Sequence, residues 1–204
     1  MALTGLFLCT FLLEHLYGNI LLYNNDGGEA FDEYSHSMVH NLLIRIVEVL
    51  LFAAIIVHAF QGIVLTRKNA AARPVNYAIK KDSETSSWFS RNMMLTGAFV
   101  LFFIVVHLYS FFVPYRISGL DEGQAVSQLV KESFENGWYS LFYFVSVLLL
   151  ASHLNHGFQS AFQTMGINNK KYSPLIKIGG TAFAVLIFLG FASFPVVFYF
   201  GWMG

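Results

Sequence analysis

The chain has 204 residues, with 12 basic and 12 acidic side chains that cancel, 56% hydrophobic content and a mean hydropathy of +0.57. Its 22 phenylalanines and 10 tyrosines, against only 12% charged residues, are more apolar aromatic surface than a soluble domain of this size can hide. Long uncharged runs indicate an integral membrane protein, leave no room for a soluble catalytic domain, and carry no nucleotide-binding glycine loop, catalytic triad or nucleic-acid signature.

The sequence predicts an all-α, single-domain membrane bundle over residues 1–204, with five spans at about 1–24, 38–66, 88–113, 138–165 and 174–202. The first run is too long for a cleavable signal peptide and lacks a small-residue cleavage site. Asn24-Asn-Asp-Gly-Gly28 closes the first span, Pro114 closes the third, and Ser173-Pro174 supplies an N-cap and a first-turn proline for the fifth. Pro195, inside the fifth span, is expected to kink it. Between spans three and four, residues 121–135 place Ala125, Leu129, Val126 and Val130 at helical spacing, which predicts a short amphipathic surface helix. The lone Cys9 excludes a disulfide framework and a thiolate metal site.

The connections alternate in charge. Arg67, Lys68, Arg73, Lys80, Lys81 and Arg91 follow span two, and Lys170 and Lys171 follow span four. Asp26, Glu29, Asp32 and Glu33 follow span one, and Asp121, Glu122, Glu132 and Glu135 follow span three. The positive-inside rule therefore predicts a cytoplasmic N-terminus and an external C-terminus.

Residues 1–17 and 93–109 are one segment written twice, identical at nine of seventeen positions: Met1/Met93, Leu3/Leu95, Thr4/Thr96, Gly5/Gly97, Phe7/Phe99, Phe11/Phe103, His15/His107, Leu16/Leu108 and Tyr17/Tyr109. Spans two and four share a weaker echo, His58-Ala-Phe-Gln-Gly62 against His153-Leu-Asn-His-Gly157. Counting residues from the acidic side puts His15 and His107 about 15 Å deep, and His58 and His153 about 27 Å deep. Two imidazoles at each of two depths is the arrangement for two stacked cofactors. A lone intramembrane histidine is more often an interhelical hydrogen-bonding residue, but four at matched depths each need a partner or a function. Two ligands per site, apolar surroundings and no carboxylate at either depth favour axially held haem iron over zinc, which takes four ligands. A glycine one turn after His58 and His153 is expected to leave room beside the imidazole for a flat macrocycle. His156, three residues past His153, is an alternative fourth ligand.

With these motifs in place, the whole chain resembles the dihaem cytochrome b membrane anchor of succinate:quinone oxidoreductase, the succinate dehydrogenase and fumarate reductase family. The resemblance is carried by Glu14-His-Leu-Tyr-Gly-Asn19, His58-Ala-Phe-Gln-Gly62, Ser90-Arg-Asn-Met-Met-Leu-Thr-Gly97, His107-Leu-Tyr109 and His153-Leu-Asn-His-Gly-Phe-Gln-Ser-Ala-Phe-Gln-Thr164. It implies two b-type haems, the proximal held by His58 and His153 and the distal by His15 and His107. It also implies flavoprotein and iron–sulfur partner subunits, a quinone substrate (menaquinone as the expected type), and a multi-pass place in the bacterial cytoplasmic membrane. The chain would carry electrons and react with quinone without a succinate-oxidising site of its own. The basic loop around 67–91 is the expected dock for the iron–sulfur subunit.

Candidate quinone contacts are Glu33, His36 and His40 near the distal haem and Ser87, Arg91 and His156 near the proximal one, each equally readable as a solvated boundary residue. Arg45 and Glu48, three apart, are expected to form an intramembrane ion pair, with Arg45 within reach of a haem propionate. Glu14, beside His15, serves either proton movement or a bond to a neighbouring helix. Two rivals remain at this stage: the anchor of a hydrogenase or formate dehydrogenase, and a haem-free transporter with a histidine relay.

Overall fold

A computed structural model of the chain describes residues 1–72, 92–120, 123–167 and 169–202. Five helices in it are long and apolar enough to cross a membrane. The first, α1 (Ala2–Ile20), tightens into a 3₁₀ turn at Leu21–Tyr23. The turn that follows uses Gly27 and Gly28 at φ +76° and +106°, a region that favours glycine. Asp26 holds the turn by accepting the Gly28 and Ala30 amides at 2.8 and 3.1 Å.

The acidic connection then forms a helix of its own, α2 (Glu29–His40). Span two therefore does not begin at residue 38. Asn41 breaks the chain with extended backbone and caps α3 (Leu42–Ala71), its side-chain oxygen accepting from Leu43 and Ile44. The helix outlasts the predicted end at 66 because exposed Arg67 and Lys68 suit its C-terminal turn.

Span three is α4 (Met93–His107), continued by two wider π-helical stretches, Leu108–Phe112 and Pro114–Ser118. Pro114 does not close it, contrary to expectation. A π turn has already left the regular hydrogen-bond ladder, so the missing proline N–H costs it little. A surface helix follows, α5 (Val126–Glu135); of the four expected residues it buries Val130, together with Ser127 and Phe134, while Ala125, Val126 and Leu129 are half-buried. Aromatic bulk decides which row faces inward: Phe134 stacks near Tyr139, Tyr143 and Phe198.

The last two spans are α6 (Gly137–Thr164) and α7 (Ser173–Tyr199). Asn136 caps α6 by accepting the Tyr139 amide at 3.1 Å. The residue at the cap position of α7 is Tyr172, one earlier than expected, with Ser173 in the first turn. The helix runs through Pro195 to Tyr199.

The core lies where α1, α4, α6 and α7 meet, around Cys9, Leu16, Phe103, Tyr143, Leu154, Ile187 and Phe194. Bare glycines let helices close up: a Cβ at Gly190 would lie 2.7 Å from Leu16, and one at Gly180 2.9 Å from Phe158. By contrast α3 buries none of its thirty residues. At the end carrying α2 and α5, Asp32 ties the two together, accepting the Ser127 amide at 2.8 Å and its hydroxyl at 2.6 Å.

Candidate haem-ligand pairs

The structure brings four histidines of four different spans together in twos. His15 of α1 faces His107 of α4 with ring centres 5.7 Å apart, nearly perpendicular. His58 of α3 faces His153 of α6 at 6.3 Å. The ring opposite His58 is thus His153's, while His156 lies half-buried one turn on.

Each helix of the repeated segment serves both levels. On α1, Thr4 lies beside His58, its Oγ1 3.2 Å from Nδ1, and eleven residues on His15 meets His107. That spacing sets the levels about 16 Å apart. Gly5 and Gly97 face the inner imidazoles: a Cβ on Gly5 would meet His58 Cε1 at 3.2 Å, and one on Gly97 would meet His153 Cε1 at 3.3 Å. The glycines one turn after the histidines look elsewhere. Gly62 faces the methyl of Met1 and Gly157 that of Met93, at 3.4 and 3.5 Å. The gap beside each imidazole thus belongs to the neighbouring helix's glycine, and a flexible methionine tip occupies the other.

The outer walls of the pair at the α2/α5 end are aromatic. Phe11 stacks on His15 at 5.2 Å, Phe191 lies 5.5 Å from it, and Phe103 and Phe111 flank His107 at 5.9 and 5.4 Å. Tyr143 reaches His107 Nδ1 at 3.1 Å and accepts the Tyr139 hydroxyl at 3.1 Å. Neither tyrosine was among the sequence candidates; two tyrosines at i,i+4 in an otherwise apolar span were the available signal.

The donor set suits a bis-imidazole metal group. Two metal–imidazole bonds of about 2 Å, plus roughly 1 Å from nitrogen to ring centre, separate opposed rings by about 6 Å. Both pairs match that separation. Among the described residues no group of three or more His, Cys, Asp or Glu side chains gathers as a metal site. Three buried polar side-chain atoms among the described residues lack partners: His153 Nδ1, Gln61 Oε1 three residues past His58, and Arg116 Nε beyond His107. The unpartnered Nε of the Arg116 guanidinium is a charged donor that suits the carboxylate of a bound group.

The remaining candidates are dispersed. Arg45 and Glu48 form the expected ion pair at 2.6 Å. His36 and His40 lie exposed on α2 with rings 4.0 Å apart, and Glu33 is exposed on the same helix. Glu14 accepts the Tyr34 hydroxyl at 2.5 Å, which makes it a fastener for α2. Burial, then that hydrogen bond, raise the Tyr34 phenol above its usual range. Ser87, Arg91 and most of the basic loop lie outside the described residues.

A cavity of about 480 Å³ opens near the His15/His107 pair, lined by Tyr109, Ser110, Pro114 and Ser118 of the π-helical stretch, Ser133 of α5 and Tyr139 of α6. A second, of about 250 Å³, lies between Met1, Gln61 and Lys68 at the opposite end.

A family model described as the succinate dehydrogenase/fumarate reductase transmembrane subunit matches residues 66–188, more than half of the chain. No curated protein and no solved structure matches. The matched stretch holds His107 and His153; His15 and His58 join it through the internal repeat and the ring pairing. Five membrane-crossing helices and that match together place the chain in the family of succinate dehydrogenase/fumarate reductase transmembrane subunits.

Proposed function

We propose that the chain is a dihaem cytochrome b anchor, carrying electrons between the iron–sulfur subunit of its complex and a membrane quinone. The observation that carries this reading is the pairing of imidazoles from alternate spans at two levels. His15 and His107 would hold one b-type haem, and His58 and His153 the other. Haem bound there supplies reversible one-electron chemistry. The protein's own part is to fix the two pairs, one on α1 and α4 and the other on α3 and α6, about 16 Å apart, and to wall off water from the outer pair with Phe11, Phe103, Phe111 and Phe191. Tyr143 fixes the ring of His107.

Charge segregation favours an orientation with α2 and α5 outside and the basic loop in the cytoplasm. His58 and His153 are then the inner pair, on the side where the iron–sulfur and flavoprotein subunits would dock. Quinone reduction consumes two electrons and two protons, so its head group needs hydrogen-bonding groups at a membrane-boundary cleft. The outer cavity offers the hydroxyls of Ser110, Ser133 and Tyr139 one to two helical turns from the outer pair. We place the quinone ring there, ahead of the exposed Glu33, His36 and His40.

The test is an absorption spectrum of the complex purified from membranes, with haem counted per chain. Two haems are expected. His15→Ala and His107→Ala should each remove the outer haem and spare the inner, and His58→Ala and His153→Ala should do the reverse. Absent Soret and α bands would return the chain to a haem-free reading, and a crossed pattern of losses would undo the pairing.

A further inference from the structure

Resting on the dihaem reading, we propose that Thr4 and Thr96 are paired positioning residues for the inner imidazoles. Each would accept the Nδ1–H of one ring, Thr4 from His58 and Thr96 from His153, so that Nε2 of both rings is the free, ligating nitrogen.

The half of this arrangement already made is at Thr4. Its single hydroxyl proton goes to the Met1 carbonyl oxygen at 2.9 Å. With that proton on Met1, the oxygen 3.2 Å from His58 Nδ1 has lone pairs to offer, and in the proposed arrangement the ring nitrogen is the donor. An imidazole that donates from Nδ1 keeps its lone pair on Nε2.

The other half is prepared but open. Thr96 occupies the position of Thr4 in the repeat, and it too gives its proton to the carbonyl three residues back, Met93, at 3.1 Å. Its lone pairs are thereby left for a donor. Thr96 is buried, at 4% exposure, in a helix whose neighbour supplies one. His153 Nδ1 is buried without a hydrogen-bond partner. The backbone geometry matches on the two sides: a Cβ on Gly5 would lie 3.7 Å from His58 Nδ1, and a Cβ on Gly97 would lie 3.7 Å from His153 Nδ1. A buried ring nitrogen left unpaired is costly. A small ring rotation when Nε2 is engaged brings His153 into the relation that His58 already has.

A second consequence follows from ligand basicity. An Nδ1–H that donates to oxygen makes the opposite nitrogen a stronger donor to the metal. Both hydroxyls would thus favour the oxidised state of the inner centre, and the outer pair, in which His107 Nδ1 meets Tyr143, would be set independently.

The test uses the whole complex carrying Thr4→Val, Thr96→Val or both, beside Thr4→Ser and Thr96→Ser. Thr4→Ala and Thr96→Ala replace any valine variant that fails to assemble. The readouts are the midpoint potential and the low-spin ferric electron paramagnetic resonance signal of each haem, with haem retention under competition. Loss of either hydroxyl should raise the inner potential, change the inner signal and weaken inner haem retention about 10–100-fold. The outer haem should not move, and the serine variants should behave as the parent. An unchanged inner potential and signal in Thr96→Val would overturn the proposal, as would equal shifts at both haems or a serine variant that behaves like valine. A parent complex without haem would instead sink the dihaem reading on which the proposal rests.

Discussion

Gly5 of α1 lies so near the ring of His58 on α3 that a methyl group in place of its hydrogen would stand 3.2 Å from Cε1. That is tighter than ordinary van der Waals contact, and α3 has little other packing with which to resist a push, since none of its residues is buried. Gly5→Ala should therefore displace the His58 ring by a few tenths of an ångström, and Gly5→Leu should drive it out of line. The same substitutions at Gly97 act on His153. In the purified complex the expected result is altered or lost inner haem absorption, with the outer haem retained in all four variants.

Tyr143→Phe removes the hydroxyl that meets His107 Nδ1 and keeps the ring that fills the core beside Phe103, Phe111 and Phe134. The loss of one hydrogen bond costs roughly 0.5–1.5 kcal/mol, so the fold should persist. The outer haem's potential and spectrum should change while the inner haem's do not, as measured by redox titration. Tyr139→Phe, one hydroxyl further out, should have the smaller effect on the outer potential and the larger one on quinone turnover.

Gly28 combines a left-handed backbone at φ +106° with the side chain of Ser127 against its Cα. Gly28→Ala strains the turn and pushes α5 away from α2, breaking the Asp32–Ser127 bonds. A loss of about 1–3 kcal/mol is expected, and limited proteolysis should report it as cleavage between residues 24 and 30. The neighbouring Asp26 adds a pH dependence. The Gly28 amide, and less strongly the Ala30 amide, hold its carboxyl below the usual range. Its contribution to the turn is therefore complete above about pH 4 and is lost as the pH falls through the depressed folded value. Protection of the Ala30 amide from hydrogen exchange, relative to its intrinsic rate at each pH, should fall only in that acid range, and Asp26→Ala should abolish the transition.

The basic connection supplies the remaining prediction. Arg67 and Lys68 are exposed at the end of α3, and Arg73, Lys80, Lys81 and Arg91 follow in sequence. If this loop is the dock for the proposed soluble subunits, replacing four or more of these by Glu should release them from the membrane at physiological salt, because the sign of its charge is reversed. Fractionation of membranes followed by assay of succinate oxidation reads the outcome directly; membranes that keep their full activity would show that docking lies elsewhere.

Five spans, an echo of α1 in α4, and four histidines at two depths were all legible in the linear chain, because hydropathy and a 3.6-residue period are local properties. The period tells which residues share a face, and Thr4, Phe11 and His15, seven and four residues apart, share one stripe. It does not tell which neighbour that stripe meets or at what height. Packing settled that Thr4 and Gly5 serve the histidine of α3 while Phe11 serves His15, and that Gly62 and Gly157 look toward methionines. The same reason explains the misplaced element ends. Asn41 divides an acidic surface helix from span two, and Pro114 is carried inside a π-helical stretch. At their end of the bundle α2 and α5 are held together by Asp32 and Ser127, and Phe134 of α5 packs on Tyr143, contacts that hydropathy does not reveal. Charge and periodicity are written residue by residue, but the offset between one helix and the next is set by how side chains of both interlock, and only the assembled bundle fixes it.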